Sequence, residues 1–244
     1  MNKRFLLFFP VAISAVFILA SCQQFFTTSV AAPLARDPAS LVPAVTSANA
    51  ATLADEVAND PDASLAVLSG LEDLIAAAPA SEQAALAALA LDVASNASGV
   101  GGALLESADS IAGILTSGDF SDSTELFAAV NTAIAGLDNL SESASSLVSI
   151  FGSTSATVDE IAANSTADEL AMAAIVLLAA NASTHTGGVS GYVADLDGTG
   201  SGTISPSEQA NADLAAALAQ AAIDSGASGT LASILGMFNL TTTP

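Results

Sequence analysis

The chain has 244 residues, with 25 acidic side chains against only three lysines and arginines, and its formal net charge is −22 at pH 7. Alanine, the residue with the highest helix propensity, makes up roughly a fifth of the sequence. So few bases cannot neutralise a phosphate backbone or dock on anionic lipid, which excludes nucleic acid as a partner. The length suits one or two domains with proper cores, and the composition predicts an all-α protein.

The N-terminus has the pattern of a secretory signal peptide. Two of the three bases, Lys3 and Arg4, precede an apolar run over residues 5–20, and a small residue and a cysteine follow. The apolar run is shorter than the ~20 residues that a membrane-spanning helix needs. We therefore expect residues 1–21 to be a signal peptide that is removed on export.

The end of this segment, Leu19-Ala20-Ser21-Cys22, resembles the lipobox of bacterial lipoproteins. The resemblance implies that Cys22 is diacylated, becomes the first residue of the mature chain and anchors it in the membrane through acyl chains such as palmitate. Several acyl chains on one residue give stable anchoring. In Gram-negative families of this kind, a residue other than Asp after the cysteine, here Gln23, implies sorting to the outer membrane. The mature chain would carry one base against 25 acids, a net charge of 1 − 25 = −24.

Residues 22–43 follow as the acylated cysteine and a flexible tether. This stretch contains three prolines, several small polar residues and no clean periodicity, which is typical of a linker. We expect residues 44–244 to form an all-helical domain.

The start of that domain contains a regular proline spacing. Pro43, Pro61 and Pro79 recur every 18 residues, as 61 − 43 and 79 − 61 both show. Each proline is expected to mark a helix start, with Asp60 and Ser81 as N-caps. Apolar residues four apart predict a buried stripe in each of the three units: Leu53 and Val57, Leu71 and Ile75, Leu89 and Val93.

Two architectures fit this spacing. A helix pair every 36 residues resembles the period of tetratricopeptide repeats and other helical solenoids, but the bulky aromatic and glycine positions of those repeats are missing. The alternative, an antiparallel multi-helix bundle, is favoured over a short helical-repeat array.

Further helices are predicted downstream, with the main breaks at the glycine-rich residues 99–102 and 183–192. A capping box of Thr166 and Glu169 precedes an apolar run, residues 170–182, that we expect to be the central core helix. The other predicted helices cover residues 123–137, 140–151 with Gly152 as the stop, 206–223 and 230–238.

The side chains that enzymes use are scarce. The chain has one histidine, one tyrosine and no tryptophan, and after maturation it has no lysine. A Ser190–His185–Asp195 triad would lie within one short loop, whereas triads combine distant segments, so His185 is predicted to be a solvated loop residue. Sugar and phosphate sites lack their aromatic platform and lysine loop, respectively. We predict that the protein is not an enzyme.

Residues 197–208, DGTGSGTISPSE, are the most chemically specific stretch of the chain. They resemble the 12-residue calcium loop of EF-hand proteins, with a glycine at the sharp turn, Gly202, and Ile204 at the apolar anchor. The resemblance implies calcium as the cofactor, with these metal ligands: Asp197, Thr199, Ser201, the carbonyl of Thr203, Ser205 and Glu208.

The same residues also read as a metal-free helix start. Ser205, Pro206 and Glu208 form a capping box with proline at the first helical position. The loop has two formal charges, or three if Asp195 joins it, so any calcium binding is expected to be weak. No second loop pairs with it, and glycines interrupt the helix expected before it. Both interpretations stay open, since Glu208 serves in each.

These features predict a lipid-anchored cell-envelope lipoprotein whose helical domain is a non-enzymatic binding or structural module with a protein partner. The alternative is a periplasmic accessory protein that carries a small apolar ligand for a transporter, because small residues between helices leave grooves.

Overall fold

The computed structural model describes residues 41–106 and 123–227, together with residues 231 and 235. The predicted signal peptide, Cys22 and most of the predicted tether lie outside these ranges. The unit that begins at Val42 contains ten helices and no strand within the described residues, which confirms the all-α prediction. The helices are α1 (Ala50–Val57), α2 (Pro61–Ala77), α3 (Ala80–Ser98), α4 (Val100–Glu106), α5 (Ser123–Ile134), α6 (Leu140–Ser153), α7 (Val158–Ala162), α8 (Ala167–Thr184), α9 (Gly188–Leu196) and α10 (Pro206–Asp224).

Helix α8 is the centre of the core, as its apolar run predicted. Every residue from Leu170 to Ala182 except Met172 is buried, and α8 contacts α3, α6, α9 and α10. Because its many alanine side chains are small, neighbouring helices pack against α8 from several sides. In the described part of the chain, α8 is also the one helix long and apolar enough to cross a membrane, but 67% of that window is buried inside the protein.

The helices pack as a bundle rather than as a repeat array. In a solenoid each repeat contacts only its neighbours in sequence. Here α6 packs against both α2 and α3, and α8 packs against both α3 and α10, although long stretches of chain separate these helices. The favoured multi-helix bundle is thus confirmed.

Several local signals are confirmed by the backbone. The Asp60 side chain accepts a hydrogen bond of 3.1 Å from the Ala63 N–H, with Pro61 at the first position of α2. The Thr166 and Glu169 capping box is formed at the start of α8. In the repeated stripe, Leu53, Leu71, Ile75 and Val93 are buried, whereas Val57 and Leu89 are only partly buried.

Other helix boundaries were predicted wrongly. Ser81 is not a cap, because α3 begins at Ala80 with Pro79 as its N-cap. Pro43 does not start a helix, since α1 begins at Ala50 after the Asn49 cap. Gly152 does not stop α6, which ends at Ser153. The short helix α7, capped by a box of Thr157 and Glu160, was not predicted.

The two predicted glycine breaks are shorter than expected. Gly99 ends α3 in the left-handed conformation, but α4 begins at the next residue and continues through the other two glycines. Residues 188–192 lie in α9, where Gly191 packs so closely that a Cβ there would lie 2.5 Å from the Thr186 carbonyl oxygen. The predicted helix over 230–238 lies outside the described residues, except that Leu231 and Leu235 are helical.

Candidate functional site: a histidine held by two carboxylates

The only histidine of the chain lies at the junction of three helices. His185 directly follows α8, Asp195 lies in the last turn of α9, and Glu208 lies in the first turn of α10. The His185 Nδ1 atom is 2.8 Å from Glu208 Oε1, and its Nε2 atom is 2.8 Å from Asp195 Oδ2. The His185 side chain is only 5% exposed, so the prediction of a solvated loop residue was wrong.

Both ring nitrogens of His185 must donate in this arrangement, because an ionised carboxylate can only accept a hydrogen bond. A ring that donates from both nitrogens is an imidazolium. The hydrogen bond to Glu208, and then the one to Asp195, raises the pKa of His185 above its usual range. The Ser205 cap, and then His185, lowers the pKa of Glu208 to about 2. The charged ring of His185 and the carboxylate of Glu208 therefore stabilise each other.

The position of Asp195 needs these partners. A carboxylate near a helix C-terminus faces the negative end of the helix dipole, which is unfavourable. The Gly202 N–H compensates by donating to Asp195 Oδ1 at 2.8 Å, while Oδ2 accepts from His185. Glu208 lies at a helix N-terminus, where its charge is favoured.

The glycines of the loop make room for Asp195. A Cβ on Gly200 or on Gly202 would lie 1.9 Å from an Asp195 carboxylate oxygen. Neither glycine has a positive φ, and among the glycines of residues 197–208 only Gly198 has one, at +71°. Gly202 was predicted to serve a sharp turn, but the structure requires it for the close approach of the carboxylate.

The predicted calcium ligands divide into two groups. Exposed loop positions hold Asp197, Thr199, Ser201 and Thr203, and the Thr199 hydroxyl lies 3.3 Å from the Ala194 carbonyl oxygen. Ser205 and Glu208 form the predicted capping box: the Ser205 N–H donates to Glu208 Oε2 at 2.8 Å, and the Glu208 N–H donates to Ser205 Oγ at 3.2 Å. Ile204 packs against the core, as expected of the anchor.

The carboxylate contacts differ from those that a calcium ion requires. Calcium takes about six to eight oxygen ligands, whereas both oxygens of Glu208 and both of Asp195 accept hydrogen bonds from the protein. Within the described residues, no group of three or more His, Cys, Asp or Glu side chains is arranged to hold a metal. This arrangement does not fit a calcium ion unless the carboxylates exchange partners, and calcium binding stays a prediction.

A buried polar network contacts the cluster formed by His185, Asp195 and Glu208. Asn181, 4% exposed, donates through Nδ2 to the Tyr192 hydroxyl at 2.7 Å and to the Glu208 carbonyl at 2.9 Å, and its Oδ1 accepts from Asn211 at 2.8 Å. The Tyr192 ring is fully buried and meets the His185 ring edge-on at 5.5 Å. Asn181 was the one polar residue in the predicted core run, and that exception was the available signal for this network.

The cluster does not assemble a hydrolase triad. The Ser190 hydroxyl donates to the Gly187 carbonyl at 3.4 Å, and both nitrogens of His185 are bonded to carboxylates. A general base needs a free nitrogen within reach of the nucleophile.

Comparisons of the chain with protein-family models, with curated proteins and with solved structures found no significant match.

Proposed function

We propose that the protein is a lipid-anchored lipoprotein of the bacterial cell envelope, held in the outer membrane through acyl chains on Cys22, with a helical domain that acts as a non-enzymatic binding or structural module. The lipobox Leu19-Ala20-Ser21-Cys22 at the end of a short apolar run carries the proposal. Acyl chains give a stable anchor without any basic surface, which suits a chain of such negative charge.

The chemistry of the described residues supports a non-enzymatic role. They contain no lysine or arginine, since Lys3, Arg4 and Arg36 all precede residue 41. His185 is bonded at both nitrogens, and Tyr192 is fully buried. Lysine, arginine and a free imidazole, three groups that enzymes often use to stabilise negative charge or to move protons, are thus missing from this part of the chain. The proposed function does not depend on calcium at residues 197–208.

Replacing Cys22 tests the anchor. The Cys22→Ser variant, expressed in bacteria fed a palmitate analogue, is expected to incorporate no label, because serine has no thiol to acylate. Ser21→Ala keeps a small residue before the cysteine and is the matched control, which should stay labelled. Label retained by Cys22→Ser would contradict the proposal.

The mass of the purified protein, measured under native conditions, distinguishes the carrier alternative from a structural module. A structural module is expected at the mass of the acylated chain alone. A small apolar molecule bound at one copy per chain would instead support a carrier of such ligands.

A further inference from the structure

The loop at residues 197–208 resembles a cation-binding loop, but its Glu208 and the preceding Asp195 converge on a side chain of the protein. The carboxylates of Asp195 and Glu208 both lie 2.8 Å from the ring of His185, and their side chains are only 6% and 17% exposed. Two negative charges brought together away from water need a compensating positive charge. In the described residues, which contain no lysine or arginine, His185 is the one side chain able to supply it.

We propose that the His185 side chain is the resident cation of this loop: it joins α8, α9 and the start of α10 and holds the loop closed without a divalent metal ion. The inference concerns the fold of the C-terminal helices and is independent of the lipid anchor.

The hydrogen bonds of the two carboxylates support this role. Each carboxylate places one oxygen on His185 and the other on a backbone N–H of the loop, that of Gly202 for Asp195 and that of Ser205 for Glu208. His185 therefore connects to both ends of the glycine-rich segment. In an EF-hand the last glutamate, which corresponds to Glu208, places both oxygens on the ion instead.

The neighbouring groups keep the ring in this position. The fully buried Tyr192 lies edge-on to the imidazole, and Asn181 holds both the Tyr192 hydroxyl and the Glu208 carbonyl. The ring is thus fixed by contacts on its edge and at both of its nitrogens.

The first test measures thermal unfolding of the full chain, purified in detergent, with millimolar calcium or with a chelator. The proposal predicts the same unfolding midpoint in both conditions, whereas a metal-filled loop would unfold at a higher temperature with calcium. A rise of several degrees with calcium would overturn the proposal.

The second test uses a matched pair of capping glutamates. Glu169 and Glu208 each complete a capping box, but only Glu208 also contacts the histidine. In the His185→Gln background, E208Q should lower the midpoint by no more than E169Q does. In the wild-type background, E208Q should lower it by about 5 °C more than E169Q. Equal effects of E208Q in the two backgrounds would refute the role of His185.

A third measurement does not depend on the folding of any variant. Because the chain has one histidine, nitrogen NMR of the wild-type ring gives a single, unambiguous pair of signals. Two protonated nitrogens at neutral pH, unchanged by calcium, are expected. A neutral ring, or signals that shift when calcium is added, would contradict the proposal.

Discussion

Replacing Gly202 with alanine places a methyl group against the Asp195 carboxylate. The added Cβ would lie 1.9 Å from Oδ2 and 2.8 Å from Cγ of Asp195. Real Cβ atoms keep at least 3.0 Å from other atoms, so the methyl group and the oxygen must separate by 3.0 − 1.9 = 1.1 Å. The carboxylate cannot move that far without lengthening its 2.8 Å bond to the Gly202 N–H or to the His185 ring.

The size of the loss follows from those bonds. A hydrogen bond to a charged group contributes about 1.5–3 kcal/mol to stability. We therefore expect the Gly202→Ala variant to lose about 2–3 kcal/mol in the free energy of unfolding. For a chain of this size, such a loss lowers the unfolding midpoint by roughly 4–12 °C.

A double-mutant cycle, in which unfolding is monitored by circular dichroism, isolates the steric clash between the added Cβ and the Asp195 carboxylate. In an Asp195→Ala background the carboxylate is gone, so Gly202→Ala is expected to cost almost nothing there. If Gly202→Ala is equally costly in both backgrounds, or harmless in the wild type, the close approach to Asp195 does not explain this glycine.

Three further outcomes are expected. The pKa of His185 is raised above 6.5 in the folded state, so its contribution to stability is fully present below about pH 6.5 and is lost as the pH rises through the folded-state pKa. Urea unfolding across that range should show the decline in the wild type and a flatter profile in His185→Gln. Leu177→Ala in the fully buried centre of α8 should cost about 2–5 kcal/mol in the same assay, and a loss below 1 kcal/mol would mean that the core is not packed there. Gly152→Ala meets no atom within 4 Å and should stabilise α6 by about 0.5 kcal/mol through helix propensity, so a destabilised variant would contradict the described helix.

Helix positions were predictable where polar and apolar residues alternate with a helical period. Asp60 before a proline, and Thr166 three residues before Glu169, are local signals that depend on few neighbours, and both are formed. The glycine-rich segments were misjudged, because glycine lowers helix propensity but allows close packing. Gly191 illustrates this, since tertiary contact with the Thr186 carbonyl outweighs the propensity cost.

The site was only partly predictable, for a similar reason. Ser205 and Glu208 are three residues apart, and their capping box follows from that spacing. The contacts of His185 with Asp195 and Glu208 depend on where three helices meet, which spacing does not specify. Gly202 fits the motif of a turn glycine, and only the position of Asp195 shows why it is needed.

The most direct test of the proposed function is the intact mass of the protein purified from bacterial membranes. We expect a chain that begins at Cys22 and carries the added mass of its acyl chains, with no species that retains residues 1–21. A mature chain that begins elsewhere, or a Cys22 with a free thiol, would contradict the lipid anchor.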